Sequence, residues 1–141
     1  MLGGVEIPGA PGLAAHSDGD VLLHAVTDAV LGALSAGDIG THFPDTDPQW
    51  KGVASGKFLR FAVERAGELG FVVNNCDMTV HCDQPKLGPH RDVIVASVAR
   101  LLNCPAGCVN LKGKTSEGMG FVGRGEGIVA QVILSLTTDS D

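Results

Sequence analysis

Two helical segments that follow one another without a strand between them are the feature that most limits the fold of this chain. Apolar residues recur at helical spacing from Asp18 to about Ala36 and again from Ser55 to Leu69, and the polar loop 37–53 lies between them. A doubly wound sheet needs a strand after each helix, so this order excludes that architecture. The sequence therefore predicts an α+β fold.

The remaining segments complete this pattern. Three of them are predicted strands: Phe71 to Cys82, Val109 to Lys114 and Ile128 to Thr138. The segment from Leu2 to Ile7 is predicted to be a short strand closed by a turn. A third helix is predicted from Pro89, which suits a first helical turn, to about Leu102. Ser17 or Asp18 is the expected N-cap of the first helix, and Gly70 is expected to end the second.

Length and composition predict one soluble domain spanning residues 1–141. Apolar residues make up 44% of the 141 and charged residues 18%, which is typical of a globular protein and not of a disordered one. The sequence has no apolar run long enough to cross a bilayer, and its start lacks the features of a secretory signal. The net charge of -6 argues against a nucleic-acid binder, whose affinity comes mainly from lysine and arginine.

The four cysteines, Cys76, Cys82, Cys104 and Cys108, do not have the spacing of a metal or redox pair. Three residues separate the last two, where such pairs usually have two. Reduced, structural thiols in a cytosol-like compartment are the expected state.

The stretch from His16 to His24 places polar side chains on the first predicted helix. Asp20, His24 and Asp28 are four residues apart and therefore line one face of it. A histidine with a carboxylate one turn away supplies at most part of a metal site. A solvated helix face with a local Asp–His hydrogen bond explains the same spacing, so the residues alone leave both interpretations open.

The loop 37–48 concentrates carboxylates and hydroxyls. Asp38, Asp45 and Asp47 can accept hydrogen bonds from a polyol, while the two prolines limit the freedom of the loop. An ordinary surface loop with Asx turns is the alternative.

Two later segments have groups suited to an anion. Lys86 lies between prolines just before a helix N-terminus, where a cation and free N–H groups occur together. The segment 112–117 carries lysines and hydroxyls suited to phosphate oxygens, although its glycine spacing is not that of a Walker A loop. Glycines then recur through 118–127, which is more typical of a tight turn with close backbone packing than of a nucleotide fingerprint.

The order of these motifs is more informative than any one of them. The chain reads Gly-Gly-Val-x-Ile-Pro from residue 3, His-Ser-Asp-Gly-Asp-Val-x-x-His from 16, Gly-Asp-Ile-Gly from 37 and Phe-Pro-Asp-Thr-Asp-Pro from 43. Pro-Lys with a following Pro-His occupies 85–90, and Gly-Phe-x-Gly-Arg-Gly-Glu-Gly-Ile occupies 120–128. In this order they resemble the 2-C-methyl-D-erythritol 2,4-cyclodiphosphate synthases from Gly3 to about Leu136.

The resemblance implies a single domain with a mixed sheet, helices packed on one face of it, and a homotrimer with sites between subunits. Members of that family convert 4-diphosphocytidyl-2-C-methyl-D-erythritol 2-phosphate into the cyclic diphosphate and CMP, a step of non-mevalonate isoprenoid biosynthesis. They use Zn²⁺ and Mg²⁺. The resemblance also implies a protein of the bacterial cytoplasm or the plastid stroma.

The same resemblance assigns roles to single residues. His24 matches the zinc-binding histidine, and Asp20 a partner that orients it. His16, Thr115 and Lys86 match groups that stabilise the transition state or the leaving group. These three and the following residues are expected to bind substrate: Ser17, Asp38, Ile39, Gly40, Phe43, Pro44, Asp45, Thr46, Asp47, Pro85, Ser116, Glu117, Phe121 and Arg124.

The chain departs from the family's pattern at three places. Cys82-Asp83 stands where the family commonly has Ala-Gln, and the charge of Asp83 is expected to weaken attraction for phosphate. Lys114 replaces a common threonine. The family's opening strand ends in Asp-x-His and supplies two zinc ligands, and no counterpart precedes Gly3. Poor zinc binding and little turnover are therefore expected of this form.

A second hypothesis belongs to another functional class. The chain would be a catalytically inactive trimer that binds an isoprenoid diphosphate or a CMP-like ligand in a regulatory or scaffold role. Release of CMP from the natural substrate separates the two hypotheses.

Overall fold

The sheet is built from the second half of the chain. The computed structural model describes residues 1–8 and 19–139. Within them β1 (Phe71–His81), β2 (Val109–Lys114) and β3 (Val129–Thr138) form one sheet in the order β2-β1-β3. β1 pairs with β2 in parallel and with β3 in antiparallel fashion. The sheet is mixed, and the predicted α+β class is confirmed.

The helices alternate with the strands except at the place that the sequence indicated. They are α1 (Val21–Ala33), α2 (Ile39–His42), α3 (Ser55–Glu68), α4 (Arg91–Leu102) and α5 (Gly120–Gly123). Short 3₁₀ turns occupy Pro48–Trp50, Gly88–His90 and Ala106–Cys108. No strand separates α1 from α3, as predicted, and none of the helices in the described ranges is long and apolar enough to cross a membrane.

One face of the sheet carries the core. Along β1, the side chains of Cys76, Met78 and Val80 are fully buried, whereas the alternate residues Asp77 and Thr79 are half-buried. This is the two-residue period of a strand with one face against the core. α1, α3 and α4 contribute aliphatic side chains to the same cluster: Leu22, Leu23, Val26, Val30, Leu59, Ile94 and Val98. The predicted packing of helices on one face is confirmed.

The opposite face, called here the outer face, carries Asp77, Thr79, Lys112 and Ile133. Lys112 Nζ lies 2.8 Å from Asp77 Oδ2. Ile133 of β3 pairs with Asp77 and is 78% exposed. An aliphatic side chain beside an ion pair is thus presented on this surface.

The N-terminal segment forms a turn where the sequence predicted a strand. Leu2 and Val5 make an isolated antiparallel bridge, and the chain turns through Gly3 and Gly4 with positive φ. A Cβ on Gly3 would lie 2.8 Å from Ile94 Cγ2, so the close packing on α4 requires glycine there. Leu2 and Ile7 are both buried, which explains why their spacing imitates a strand.

α1 is shorter at both ends than the periodicity predicted. Its N-cap is Asp20, not Ser17 or Asp18, and Gly19 precedes it with a φ of 75°, which a helix cannot continue through. At the other end Ser35 has a φ of 54°, and the chain leaves the helix before Ala36. Periodic apolar residues extend beyond the C-terminal end of the helix because Leu34 and Ala36 also pack against the core.

The other boundaries agree closely with the predictions. Gly70, with a φ of 85°, follows α3 as expected. Pro89 lies in a 3₁₀ turn, and α4 begins two residues later at Arg91. The prediction of a loop over residues 37–53 is wrong in part, because this segment contains two short helical elements. Asp38 caps α2, and Asp47 caps the 3₁₀ turn Pro48–Trp50.

Candidate active site

A pocket of about 340 Å³ opens where β1 and β2 end. Because these strands are parallel, their carboxyl ends meet at one edge of the sheet, and His81 pairs with Lys114 there. The segment after β1 supplies Lys86 and the segment after β2 supplies Thr115. The lining residues are Cys82, Lys86, Leu87, Gly88, Pro89, Arg91, Leu111, Gly113 and Thr115. Two residues predicted to act together thus line one pocket.

Asp83 connects the two segments that carry Lys86 and Thr115. Its Oδ1 accepts hydrogen bonds from Ser116 N at 2.7 Å and from Ser116 Oγ at 2.9 Å. Its Oδ2 accepts one from Gly118 N at 2.9 Å. The Ser116 N–H contributes most to holding the pKa of Asp83 below its usual range, and the other two bonds and the charge of Lys86 act in the same direction. Sequence reasoning expected Asp83 only to repel phosphate and missed these contacts, whose partners are distant in the chain.

Glu117 lies between Ser116 and Gly118, the two residues that donate hydrogen bonds to Asp83. It has a φ of 56°, a left-handed conformation that is uncommon outside glycine. Its N–H donates to Thr115 Oγ1 at 3.4 Å. The bonds from the neighbouring residues 116 and 118 to Asp83 support this conformation, so the carboxylate helps to shape the backbone next to Thr115.

Arg91 is a pocket residue that the sequence did not indicate. Its Nε donates to the carbonyl of Leu111 at 3.2 Å, and its Nη2 donates to Asn110 Oδ1 at 3.1 Å. Asn110 Nδ2 in turn donates to Asp77 Oδ1 at 3.1 Å. A chain of hydrogen bonds therefore runs from the pocket to the outer face. The sequence did contain one signal for Arg91: it is a second cationic residue soon after Lys86, at the first position of a helix.

The thiols of Cys82 and Cys76 are not activated. Burial raises the pKa of Cys82, which lines the pocket, and Cys82 Sγ lies 3.1 Å from the carbonyl oxygen of Gln84. Burial also raises the pKa of Cys76 to about 12. These thiols are protonated at neutral pH, so Cys82 contributes packing and a weak hydrogen-bond donor to the pocket wall.

A second cluster lies between α1 and α3. His24 Nε2 is 2.8 Å from Ser55 Oγ, and the His24 ring lies 5.9 Å from the ring of Phe58. Ser55 is the first residue of α3 and is fully buried. The imidazole is thus oriented by groups from a different helix, which residue spacing on α1 did not predict.

The two aspartates on the His24 side of α1 have structural contacts. Asp20 is completely buried, and its carboxylate accepts hydrogen bonds from the N–H groups of Gly3 at 2.9 Å, Gly4 at 2.7 Å and Leu23 at 3.0 Å. The interpretation of a solvated helix face is therefore wrong for Asp20. Asp28 accepts a hydrogen bond from Ile39 N at 2.8 Å and so connects α1 to the loop that follows it.

The predicted substrate loop is anchored by an aromatic group and by its own carboxylates. Phe43 is 9% exposed and packs with ring centroids 4.6 Å from Phe58 and 4.8 Å from Trp50. Asp38 Oδ1 accepts hydrogen bonds at 2.9 Å from both the N–H and the hydroxyl of Thr41. The Thr41 hydroxyl contributes most to lowering the pKa of Asp38. Phe43 therefore serves as an anchor of the loop, which was not anticipated.

Other predicted substrate residues of this loop have different exposures. Gly40, Pro44, Asp45 and Thr46 are exposed, and Ile39 and Asp47 are half-buried. Asp47 accepts hydrogen bonds from the backbone and side chain of Gln49. The carboxylates of Asp38 and Asp45 thus belong to exposed residues, whereas that of Asp47 belongs to a half-buried one.

The glycine-rich segment forms a tight turn, as its composition indicated. A Cβ on Gly123 would lie 2.1 Å from the carbonyl carbon of Gly118, so the backbone folds back on itself. Phe121 is 49% exposed, and Arg124 Nε pairs with Glu126 Oε1 at 2.7 Å. Neither Phe121 nor Arg124 lines the pocket described above.

The predicted site residues are therefore distributed over separate places in one chain. Lys86 and Thr115 share the pocket, with Pro85 and Ser116 next to them in sequence. His24 and Asp38 belong to the α1 side and are not among the residues that line this pocket. His16 and Ser17 lie outside the described residues.

The described residues do not by themselves form a zinc site. Within residues 1–8 and 19–139, no three His, Cys, Asp or Glu side chains are grouped closely enough to hold a metal ion. His24 is one candidate ligand, and a catalytic zinc usually has about three from the protein.

Comparison with known families identifies the chain. A model described as the YgbB family matches residues 1–137. This chain belongs to the YgbB family. The match covers the pocket, the His24 cluster and all of the sheet except the last residue of β3.

Individual members of the family bear out the resemblance read from the motifs. The chain is 52% identical over 136 residues to the 2-C-methyl-D-erythritol 2,4-cyclodiphosphate synthase of Alcanivorax borkumensis, covering 96% of this chain and 85% of the relative. A structure of a 2C-methyl-D-erythritol-2,4-cyclodiphosphate synthase in a CDP-bound form has a TM-score of 0.85 and 42% identity, covering 97% and 89% of the two chains.

Longer members of the family also match. The structure of the bifunctional IspDF from Campylobacter jejuni has a TM-score of 0.92 at 40% identity, covering 98% of this chain and 37% of that one. The chain thus spans 37% of the length of this bifunctional protein.

Proposed function

We propose that this chain converts 4-diphosphocytidyl-2-C-methyl-D-erythritol 2-phosphate into 2-C-methyl-D-erythritol 2,4-cyclodiphosphate and CMP. The observation that carries the proposal is the position of Lys86 and Thr115 on one pocket, in a chain 52% identical to a synthase of that name. The pocket volume of about 340 Å³ suits a small ligand such as a pyrimidine nucleotide. The CDP-bound form of a related synthase supports the same ligand class.

The proposed reaction is a phosphoryl transfer within one substrate molecule. An oxygen of the 2-phosphate forms a bond to the β-phosphorus. The bond from the β-phosphorus to the oxygen that bridges to the α-phosphorus breaks, and that oxygen leaves with the electron pair as part of CMP. Positioning and charge stabilisation are the main contributions that a protein makes to such a transfer.

Lys86 and Thr115 are proposed to act on the leaving side. The Lys86 ammonium offsets the negative charge that grows on the departing CMP oxygen, and the Thr115 hydroxyl donates a hydrogen bond to a phosphate oxygen. Asp45 and the neighbouring exposed groups of the loop after α1 are proposed to accept hydrogen bonds from substrate hydroxyls.

A homotrimer is part of the proposal. The pocket and the α1 cluster lie apart within one chain, so a subunit that places its α1 side against the pocket of a neighbour would complete the site. The outer face, where the 78% exposed Ile133 lies beside the Asp77–Lys112 ion pair, is the proposed contact surface of that assembly. The matched synthase is bacterial, which favours the bacterial cytoplasm over the plastid stroma as the proposed location.

Zn²⁺ and Mg²⁺ are the proposed cofactors, with His24 as a candidate ligand. When bound, such ions withdraw charge from phosphate oxygens. The described residues supply only part of a zinc site, and the proposed roles of Lys86 and Thr115 do not depend on that metal.

Incubation of the protein with the natural substrate tests the function. We expect CMP and a cyclic diphosphate to appear in equal amounts at saturating Zn²⁺ and Mg²⁺, at a low rate because the described residues supply only part of a zinc site. Nucleotide chromatography and ³¹P NMR measure the two products. Binding of CDP without CMP release, at saturating Zn²⁺ and Mg²⁺, would reject the synthase and favour the inactive trimer. A protein that neither binds CDP nor releases CMP would reject both the synthase and the inactive trimer.

A further inference from the structure

Asp83 joins the segment that carries Lys86 to the segment that carries Thr115 by hydrogen bonds. It lies two residues after the end of β1, and its carboxylate reaches the segment that follows β2. Three donors converge on it at 2.7 to 2.9 Å: the N–H and hydroxyl of Ser116 and the N–H of Gly118. Lys86, three residues further along the chain, and Thr115, next to Ser116, line the pocket on either side.

The backbone that Asp83 holds is in a conformation that needs support. Glu117, between the two bonded residues, has a φ of 56°, which costs a non-glycine residue about 1 kcal/mol or more. The bonds on both sides of Glu117 oppose relaxation of this turn. Relaxation would change the direction of Thr115 and move its hydroxyl relative to Lys86.

We propose that Asp83 is a positioning residue for the reaction, which holds Thr115 in place opposite Lys86 by binding the backbone of residues 116–118. The proposal rests on the function proposed above. Asp83 itself does not line the pocket. Its effect passes through Ser116 and Gly118, so it should influence turnover more than nucleotide affinity.

A carboxylate suits this place better than an amide. Two oxygens are needed, since Oδ1 receives both Ser116 donors and Oδ2 receives Gly118 N. Asparagine has one acceptor oxygen and an NH₂ group, which would face a donor on one side. Asp83→Asn should therefore keep part of the contact, and Asp83→Ala should lose all of it.

The alternative role for Asp83 is electrostatic repulsion of phosphate, and the two roles predict opposite results. If the charge only repels, both variants should bind CDP more tightly and keep or raise kcat. If Asp83 positions Thr115, kcat should fall, and it should fall more in Asp83→Ala than in Asp83→Asn. Misplacement by about 1 Å can cost on the order of 100-fold in rate, so a 10- to 100-fold loss is expected for Asp83→Ala.

The experiment combines kinetics with amide hydrogen exchange. Wild type, Asp83→Asn, Asp83→Ala and the charge-matched control Asp139→Asn are compared for kcat, KM and CDP affinity. Asp139 is exposed and follows the end of β3, where Thr138 pairs with Phe71 at the end of β1 opposite the pocket. The exchange of the Ser116 and Gly118 amides is measured in parallel. It should be slow in wild type and in Asp139→Asn, faster at Gly118 in Asp83→Asn, and fastest at both sites in Asp83→Ala.

Each result of this experiment either supports or overturns the positioning role of Asp83. Faster exchange together with a lower kcat and nearly unchanged CDP affinity supports the proposal. Unchanged kcat in Asp83→Ala, or tighter CDP binding with full turnover, overturns the positioning role while leaving the synthase function intact. Absence of turnover in the wild type overturns the proposed function and the positioning role with it. If Asp83→Ala does not fold, Asp83→Asn decides by the same criteria.

Discussion

His24 Nε2 lies 2.8 Å from Ser55 Oγ, although the two residues are 31 positions apart. The contact joins α1 to the first residue of α3 across the long loop that contains α2. Since Ser55 is fully buried, its hydroxyl contributes to stability and sets the orientation of an imidazole that the family resemblance assigns to metal binding.

Replacement of Ser55 by alanine should change the His24 ring without unfolding the protein. The half-buried His24 imidazole loses this hydrogen-bond partner, which should lower the free energy of unfolding by about 0.5–1.5 kcal/mol. Urea denaturation gives this change, and the ring resonances of His24 in a ¹H–¹⁵N spectrum should shift. Thr27→Val, which removes another buried hydroxyl that bonds to the carbonyl of Leu23, is the control. His24 resonances that move equally in both variants would contradict the specific role of Ser55.

Asp20 should be more important for stability than its helix-face position suggests. Asp20→Ala removes the acceptor for the N–H groups of Gly3, Gly4 and Leu23, and we expect a loss of about 2–4 kcal/mol. Asp20→Asn keeps an acceptor oxygen and should lose less. The shift in the midpoint of urea denaturation, with the dependence of the unfolding free energy on urea unchanged, measures the stability loss of each variant. The exposed Asp28→Ala is the comparison and should lose under about 1 kcal/mol. Equal losses at the two positions would refute the anchoring of the N-terminal turn.

Thr41→Val should raise the pKa of Asp38. The Thr41 hydroxyl, followed by the Thr41 N–H, lowers that pKa by stabilising the charged carboxylate. Because the folded pKa lies below the unfolded one, the stability from this contact is complete above pH about 3.9 and is lost as the pH falls through the folded pKa. In Thr41→Val the folded pKa should approach the ordinary value, as ¹³C NMR titration of the carboxyl would show. Thr46→Val in the same loop is the control, and an unchanged pKa in Thr41→Val would contradict the assignment.

The sequence predicted most elements because their periodicity is local. β2 was predicted residue for residue, and α3 was predicted to within one residue, because Gly70 ends the helix in a conformation that other residues rarely adopt. The start of α1 was missed because the N-cap depends on Gly3 and Gly4, whose contact with Asp20 is tertiary. Periodicity cannot report a cap whose partners are far away in the chain.

The site was predicted less completely, for the same reason. Lys86 and Thr115 were identified by motif, and the parallel pairing of β1 with β2 explains why they share a pocket. Arg91 and the contacts of Asp83 were missed, since their partners Asn110, Ser116 and Gly118 belong to another strand or the segment after it. Such contacts depend on strand register, which local sequence does not give.

Ile133→Glu should break the proposed homotrimer. The side chain is 78% exposed on the outer face, and a charge there would have to be desolvated in a closed assembly. Sedimentation velocity at micromolar concentration should show a trimer for wild type and smaller species for the variant. Val93→Glu is a matched control, because Val93 is 56% exposed on α4, away from the sheet. A stable wild-type monomer, or an intact trimer in Ile133→Glu, would count against the outer face as the interface.

Lys86→Ala and Thr115→Ala should mainly slow turnover. Both side chains line the pocket, and both are proposed to act on charge that grows as CMP leaves. An interaction that strengthens only in the transition state lowers kcat and kcat/KM together, so each variant should lose on the order of 2–4 kcal/mol of transition-state stabilisation. Lys86→Arg should recover part of the loss because it restores a cation, and Lys51→Ala, which removes a lysine outside the pocket, should behave as wild type. Initial rates over a range of substrate concentrations separate kcat from KM. A raised KM with unchanged kcat would show that Lys86 and Thr115 only hold the bound substrate, and the charge on the leaving group would then have to be stabilised by other groups.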